Sequence, residues 1–198
     1  MRIKYSDEIK NWSVYFITAV FAVWIHEIGH CVPAWVHGYE AFPSPAEEYI
    51  LHPVSIDLNQ QISLGGYLGT LLITLISLII FLSTDFKYKS ALFAGTAAVP
   101  GMYCVLFFFN GRGHGGHEFQ EAQAALGFNY YGHSLDVFFW ILFISLVVTW
   151  FVFIKPSHKI IWRVLIGVIA TFFFFIALEW LNNAIFDPVF QSRANIRN

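Results

Sequence analysis

The chain has 198 residues, of which 57% are hydrophobic, 19% aromatic and only 12% charged, and its mean hydropathy is +0.59. A water-soluble domain carries about 25% charged residues, so this composition excludes one, and with it a disordered chain. The net charge of −2 offers no handle for a phosphate backbone, so no nucleic-acid partner is expected. Five apolar stretches reach the roughly 20 residues that a helix needs to cross a bilayer: 12–35, 64–83, 91–109, 137–154 and about 164–181. Such runs must be helical, because isolated strands leave backbone groups unpaired in lipid. The first reads as a span rather than a removable leader, being long and followed by no small-residue cleavage site. The expected fold is therefore an all-α, multi-pass integral membrane protein with a single domain over 1–198 and the lipid bilayer as its main partner.

Between the spans, the segment 38–63 contains Pro43, Pro45 and Pro53 and then the alternating run Val54-Ser55-Ile56-Asp57-Leu58, which reads as strand or irregular backbone. The piece 118–126, rich in Ala and Glu/Gln, suits a short surface helix. Lys and Arg placement favours the N-terminus inside. In that arrangement Arg2, Lys4, Lys10, Lys87, Lys89, Lys155, Lys159 and Arg163 lie inside and only Arg112, Arg193 and Arg197 outside. Pro100-Gly101 suggests a kink in the third span. Trp12, Trp35, Trp150, Trp162 and Trp180 read as interface anchors and core fillers.

The strongest chemical signal is His26-Glu27-Ile28-Gly29-His30. On a helix, residues i and i+4 share a face, so both imidazoles can reach one metal ion while Glu27 sits beside them as a base. Zinc suits such a pair and takes three protein ligands plus water in catalytic sites. All three side chains fall inside a span, where ionisable groups are costly and usually functional. The third ligand is expected from the Gly/His-rich segment after the third span. It offers His114, His117 and Glu118 on the same predicted side as the C-terminal half of the first span.

With these motifs the chain resembles the site-2 protease family of intramembrane zinc metalloproteases. His26, Glu27 and His30 match that family's HExxH, and His114-Gly115-Gly116-His117 is similar to the DGGH part of its second motif, with His in place of Asp. Carried over by position, His114 would be the third ligand, with His117 and Glu118 as alternatives. The Leu and the prolines that usually precede the family's Asp are absent. Leu64-Gly65-Gly66-Tyr67-Leu68-Gly69 occupies the place of the small-residue motif that opens the family's next helix. By itself its Gly65-xxx-Gly69 spacing indicates close helix packing. The resemblance covers about 12–120, implying a three-helix catalytic core, and leaves the last two spans unassigned. It implies a site facing the cytosol, whereas the Lys/Arg count puts it outside.

The leading expectation is thus a membrane-embedded zinc endopeptidase. Its Glu27 would be catalytic, its metal ligands would come from His26, His30, His114 and His117, and one zinc ion would act on a membrane-protein or membrane-adjacent peptide. The segment 38–63 would clamp an extended substrate. A membrane di-iron desaturase or hydroxylase is the alternative enzyme, since HEIGH and His114-xx-His117 also fit histidine-box spacing, although no HxxHH box follows. A non-catalytic metal-binding membrane protein is the third reading. His37 and His52 read as surface or substrate-guiding groups, and His133 and His158 as loop histidines. Cys31 reads as packing, and Glu179 as an interfacial charge or a partner orienting a ligand histidine.

Overall fold

The computed structural model describes residues 5–110, 117–155 and 158–190. Among them the order is α1 (Tyr5–Val36), β1 (Ala41–Pro43), β2 (Glu48–Ile50), α2 (Ile56–Ser83), α3 (Lys89–Asn110), α4 (His117–Ala125), α5 (Ser134–Ile154) and α6 (His158–Ile185). Five of these helices are long and apolar enough to cross a membrane, and α4 is the short exception. The sequence places all five, but the helices run past the apolar windows: α1 starts at Tyr5 and α2 at Ile56. Hydropathy marks where lipid can be tolerated, whereas the helix ends where its hydrogen bonds end.

The run 54–58 illustrates the difference. It is neither strand nor irregular beyond Ser55: Ser55 is the N-cap of α2, its hydroxyl accepting from the Leu58 N–H, with Asp57 in the first turn. An N-cap oxygen satisfies an otherwise orphaned donor, and an acidic residue there suits the helix dipole. The extended pieces lie earlier, in an antiparallel hairpin pairing Ala41 with Ile50, Phe42 with Tyr49 and Pro43 with Glu48. Ser44 closes its turn, donating to the Glu47 carbonyl at 2.6 Å and accepting from the Glu47 N–H at 3.0 Å. Trp35 Nε1 donates to the Ala41 carbonyl at 2.9 Å, tying the hairpin to the end of α1.

Helices α1, α2 and α3 pack against one another, and α4 and α5 close over them. A central cluster joins Ala22, Val23, Tyr67, Val99, Tyr103, Phe119 and Phe139. A second lies beneath the hairpin, where Cys31 and Ala34 of α1 meet Ala41, Leu58 and Ile62. Cys31 is fully buried there, as a packing residue would be. Pro100 lies inside α3 without ending it. A Cβ on Gly101 would come within 2.7 Å of the Phe143 ring, so this glycine makes room for α5. Helix α6 is the outlier, with Ile166, Ile169, Phe173 and Trp180 exposed. It touches α1 through the Tyr15–Thr171 hydroxyl pair and the Phe16–Phe174 rings.

The α1–α2 crossing sets up the site. Pro33 has no N–H, which leaves the Gly29 carbonyl without its usual helical donor. Gly65 packs on that carbonyl so closely that a Cβ at Gly65 would lie 2.2 Å from the oxygen, and one at Gly69 2.6 Å from the Ile25 carbonyl. The Gly65-xxx-Gly69 pair therefore presses α2 onto α1 at the level of His26 and His30.

Candidate metal centre

Both histidines of the HExxH face α2 and α4 from the interior, His26 at 2% exposure and His30 at 1%. The His30 Nδ1 lies 2.8 Å from the Ile62 carbonyl. A carbonyl can only accept, so Nδ1 carries a proton, and the neutral ring would present its lone pair from Nε2. The His26 Nδ1 lies 3.0 Å from both Thr70 Oγ1 and Tyr103 Oη, which are themselves 3.0 Å apart. With Nδ1 as donor to this hydroxyl pair, His26 also turns a lone pair inward from Nε2. Outer hydrogen bonds of this kind select the tautomer and aim the ring in metal sites.

The two Nε2 atoms lie 3.0 Å apart. Glu118, the second residue of α4, brings Oε1 to 2.8 Å from His30 Nε2 and 3.6 Å from His26 Nε2. Three lone-pair atoms this close together need a shared proton or a cation among them. A tetrahedral ion with bonds of about 2.0–2.1 Å holds its donors about 3.3 Å apart, and the three observed separations bracket that spacing. Space for the rings comes from Gly66, where a Cβ would fall 2.2 Å from His30 Nε2 and 2.8 Å from His26 Cε1. The donor set and the cradle both fit a zinc ion.

Two supports hold Glu118 in place. Ser63 Oγ donates to Glu121 Oε2 at 2.7 Å, tying α4 to α2 one turn beyond Glu118. On its other side α4 buries Phe119, Ala122 and Gln123, and the Gln123 amide donates to the Asn129, Tyr130 and Gly132 carbonyls.

Of the ligand candidates in the sequence, His26, His30 and Glu118 come together. His117, at the start of α4, is exposed and belongs to neither donor group found among the described residues. His114 lies outside the described residues. His37 and His52 are exposed, His37 bonding back to the Pro33 carbonyl, and His133 pairs with Asp136 at 3.0 Å. Glu179 is exposed and belongs to neither donor group.

Glu27 is buried beside the two histidines. Its carboxylate, His30 and Glu48 of β2 form a second group with donor atoms within 4.8 Å of one another. A second ion is not implied, because the His30 Nδ1 is committed to Ile62 and its Nε2 already faces Glu118. Glu48, Thr70 and Tyr103 were not singled out by sequence reasoning, and Gly66 stood out only within the small-residue motif 64–69. A signal for α2 did exist: Ser63, Thr70, Thr74 and Ser77 recur at helical spacing in an apolar helix, and all are buried. For Glu48 and Tyr103 there was none, since only the fold brings them near residue 27. In comparisons with known proteins the chain matches no protein-family model, no curated protein and no solved structure.

Proposed function

We propose that this protein is an intramembrane zinc metalloendopeptidase that cleaves peptide bonds in or near membrane-spanning segments. The observation that carries this reading is the convergence of His26 Nε2, His30 Nε2 and Glu118 Oε1 beside a buried Glu27. His26, Glu27 and His30 lie on a helix apolar enough to cross a bilayer, and Glu118 on the short helix α4. His26, His30 and Glu118 would hold one zinc ion, Glu118 being the candidate for the third ligand that the sequence left open. Bound zinc lowers the pKa of a water toward neutrality and polarises the substrate carbonyl. Glu27 takes the proton of the attacking water and delivers it to the leaving amine. The five apolar helices make the protein multi-pass, with α1, α2 and α3 as the catalytic core and α4 as ligand donor. The hairpin offers an extended edge along which an unwound substrate segment can add as a strand.

Glu27→Gln keeps the ligands and removes the base. Cleavage of a membrane-segment substrate should fall by about 10²–10⁴-fold or more, while zinc stays at one ion per chain by elemental analysis. Full activity of this variant would overturn the assignment, as would two irons per chain in the purified wild type.

A further inference from the structure

The hairpin does more than border the site. Neighbouring residues on a strand point to opposite faces, and in β2 the two faces have different partners. Glu48 points down, its carboxylate within 4.8 Å of the donor atoms of Glu27 and His30. On the same side, Ala41 and Ile50 pack on Cys31 and Ile62. Tyr49 points the other way, to the C-terminal end of α6 and the residues just past it. Its hydroxyl donates to Asp187 Oδ1 at 2.6 Å and accepts from Asn182 Nδ2 at 2.9 Å. Phe190 stacks on the Tyr49 ring at 4.5 Å and on Phe42, the cross-strand partner of Tyr49, at 5.2 Å.

Two strands of three residues each have little stability of their own, so the hairpin's position depends on what holds its two faces, beside the Trp35 tie to the end of α1. Its inner face rests on the site, and its outer face is held by the end of α6, whose remaining length is largely exposed. Burial, then the hydrogen bond to Asp187, raises the Tyr49 hydroxyl above its ordinary range, so it remains an O–H donor. Burial and the Asp187 and Glu48 carboxylates likewise hold Glu47 above the usual carboxylate range, and Asn182 Nδ2 approaches it at 3.4 Å.

We propose that the β1–β2 hairpin is a lid that sets Glu48 against Glu27 and His30 and is latched shut by Tyr49, Asn182, Asp187 and Phe190. Release of the α6 end frees the outer face, and the inner face lifts with it, uncovering Glu27. A substrate segment entering between the hairpin and α6 would open the site it needs. The lid's role in proteolysis rests on the function proposed above, whereas the latch does not.

Cys31 provides a native probe, because it is fully buried beneath the hairpin and the other cysteine, Cys104, lies between α3 and α5. The full-length protein in lipid nanodiscs is labelled with N-ethylmaleimide, Cys31 being followed in a Cys104→Ala background and Cys104 in a Cys31→Ala background. Tyr49→Phe combined with Asp187→Asn should speed labelling of Cys31 at least tenfold and leave Cys104 at its wild-type rate. Asn182→Ala, which enters the latch from α6 alone, should do the same to a smaller extent. Unchanged Cys31 labelling in both variants would overturn the latch, as would equal acceleration at the two thiols. This readout needs neither zinc nor cleavage, so it stands even if the peptidase assignment fails.

Discussion

At the scale of single residues, the site depends on where hydrogen atoms and side-chain volume are withheld. His30 is a ready ligand because the Ile62 carbonyl can only accept, which forces the proton onto Nδ1. Gly66 acts by lacking a side chain: one methyl group there would lie 2.2 Å from the ring nitrogen that faces Glu118. Real Cβ contacts do not reach that distance, and a close-packed interior has no slack to absorb it. Gly66→Ala should therefore displace His30, lowering zinc affinity by at least about tenfold, the range seen when ligand-orienting groups are disturbed. Competition against a chromogenic chelator measures this. Retained wild-type affinity would mean that His30 does not bind through the atom beside Gly66. Both histidines and Glu27 were legible in the sequence because HExxH needs only the spacing of one helical turn. The hydroxyls that steer His26 were not legible as a pair, since Thr70 and Tyr103 belong to different helices.

At the scale of elements, the question is how a short helix outside the apolar spans delivers a carboxylate accurately. Helix α4 has nine residues, and an isolated helix that short does not persist in water. Its register comes from tertiary contacts: Phe119 and Ala122 in the central cluster and the Ser63–Glu121 hydrogen bond. Ser63→Ala removes that bond without touching a ligand. It should weaken zinc binding by about tenfold, with cleavage reduced at limiting zinc and restored by excess zinc. Loss of cleavage that excess zinc cannot restore would count against a purely positioning role. The sequence suggested this helix from its Ala and Glu/Gln content and offered Glu118 as one of three candidate ligands. It could not choose among them, because the choice depends on which face of α4 meets α2. The run 54–58 misled for a similar reason, since the first turn of a capped helix and a short strand share an alternating pattern.

At the scale of the whole molecule, the proposed zinc ion joins parts of the chain far apart in sequence: His26 and His30 in α1 and Glu118 in α4. An ion that binds only this arrangement stabilises it by mass action, about 2.7 kcal/mol at a hundredfold excess over Kd. For a chain of this size that corresponds to a melting shift of about 5–10 °C. Adding a chelator should lower the unfolding temperature of the wild type by that amount and leave His30→Ala unchanged. An equal chelator effect on both proteins would place the stabilising ion elsewhere.

The low fraction of charged residues pointed to lipid-facing helices and, through the few ionisable groups left in apolar runs, to residues 26–30 as the chemical centre. That much depends on local quantities, namely hydropathy over about 20 residues and the periodicity of a single helix. The tertiary structure decided that Glu118 completes the donor set, that Gly66 makes room for the rings, and that Glu48 reaches Glu27 from a hairpin braced by α6. These depend on the close approach of α2 to α1 at Gly29 and Gly65 and on the facing of strands and helices distant in the chain. No local pattern encodes such distances, because they arise only when the backbones come into contact.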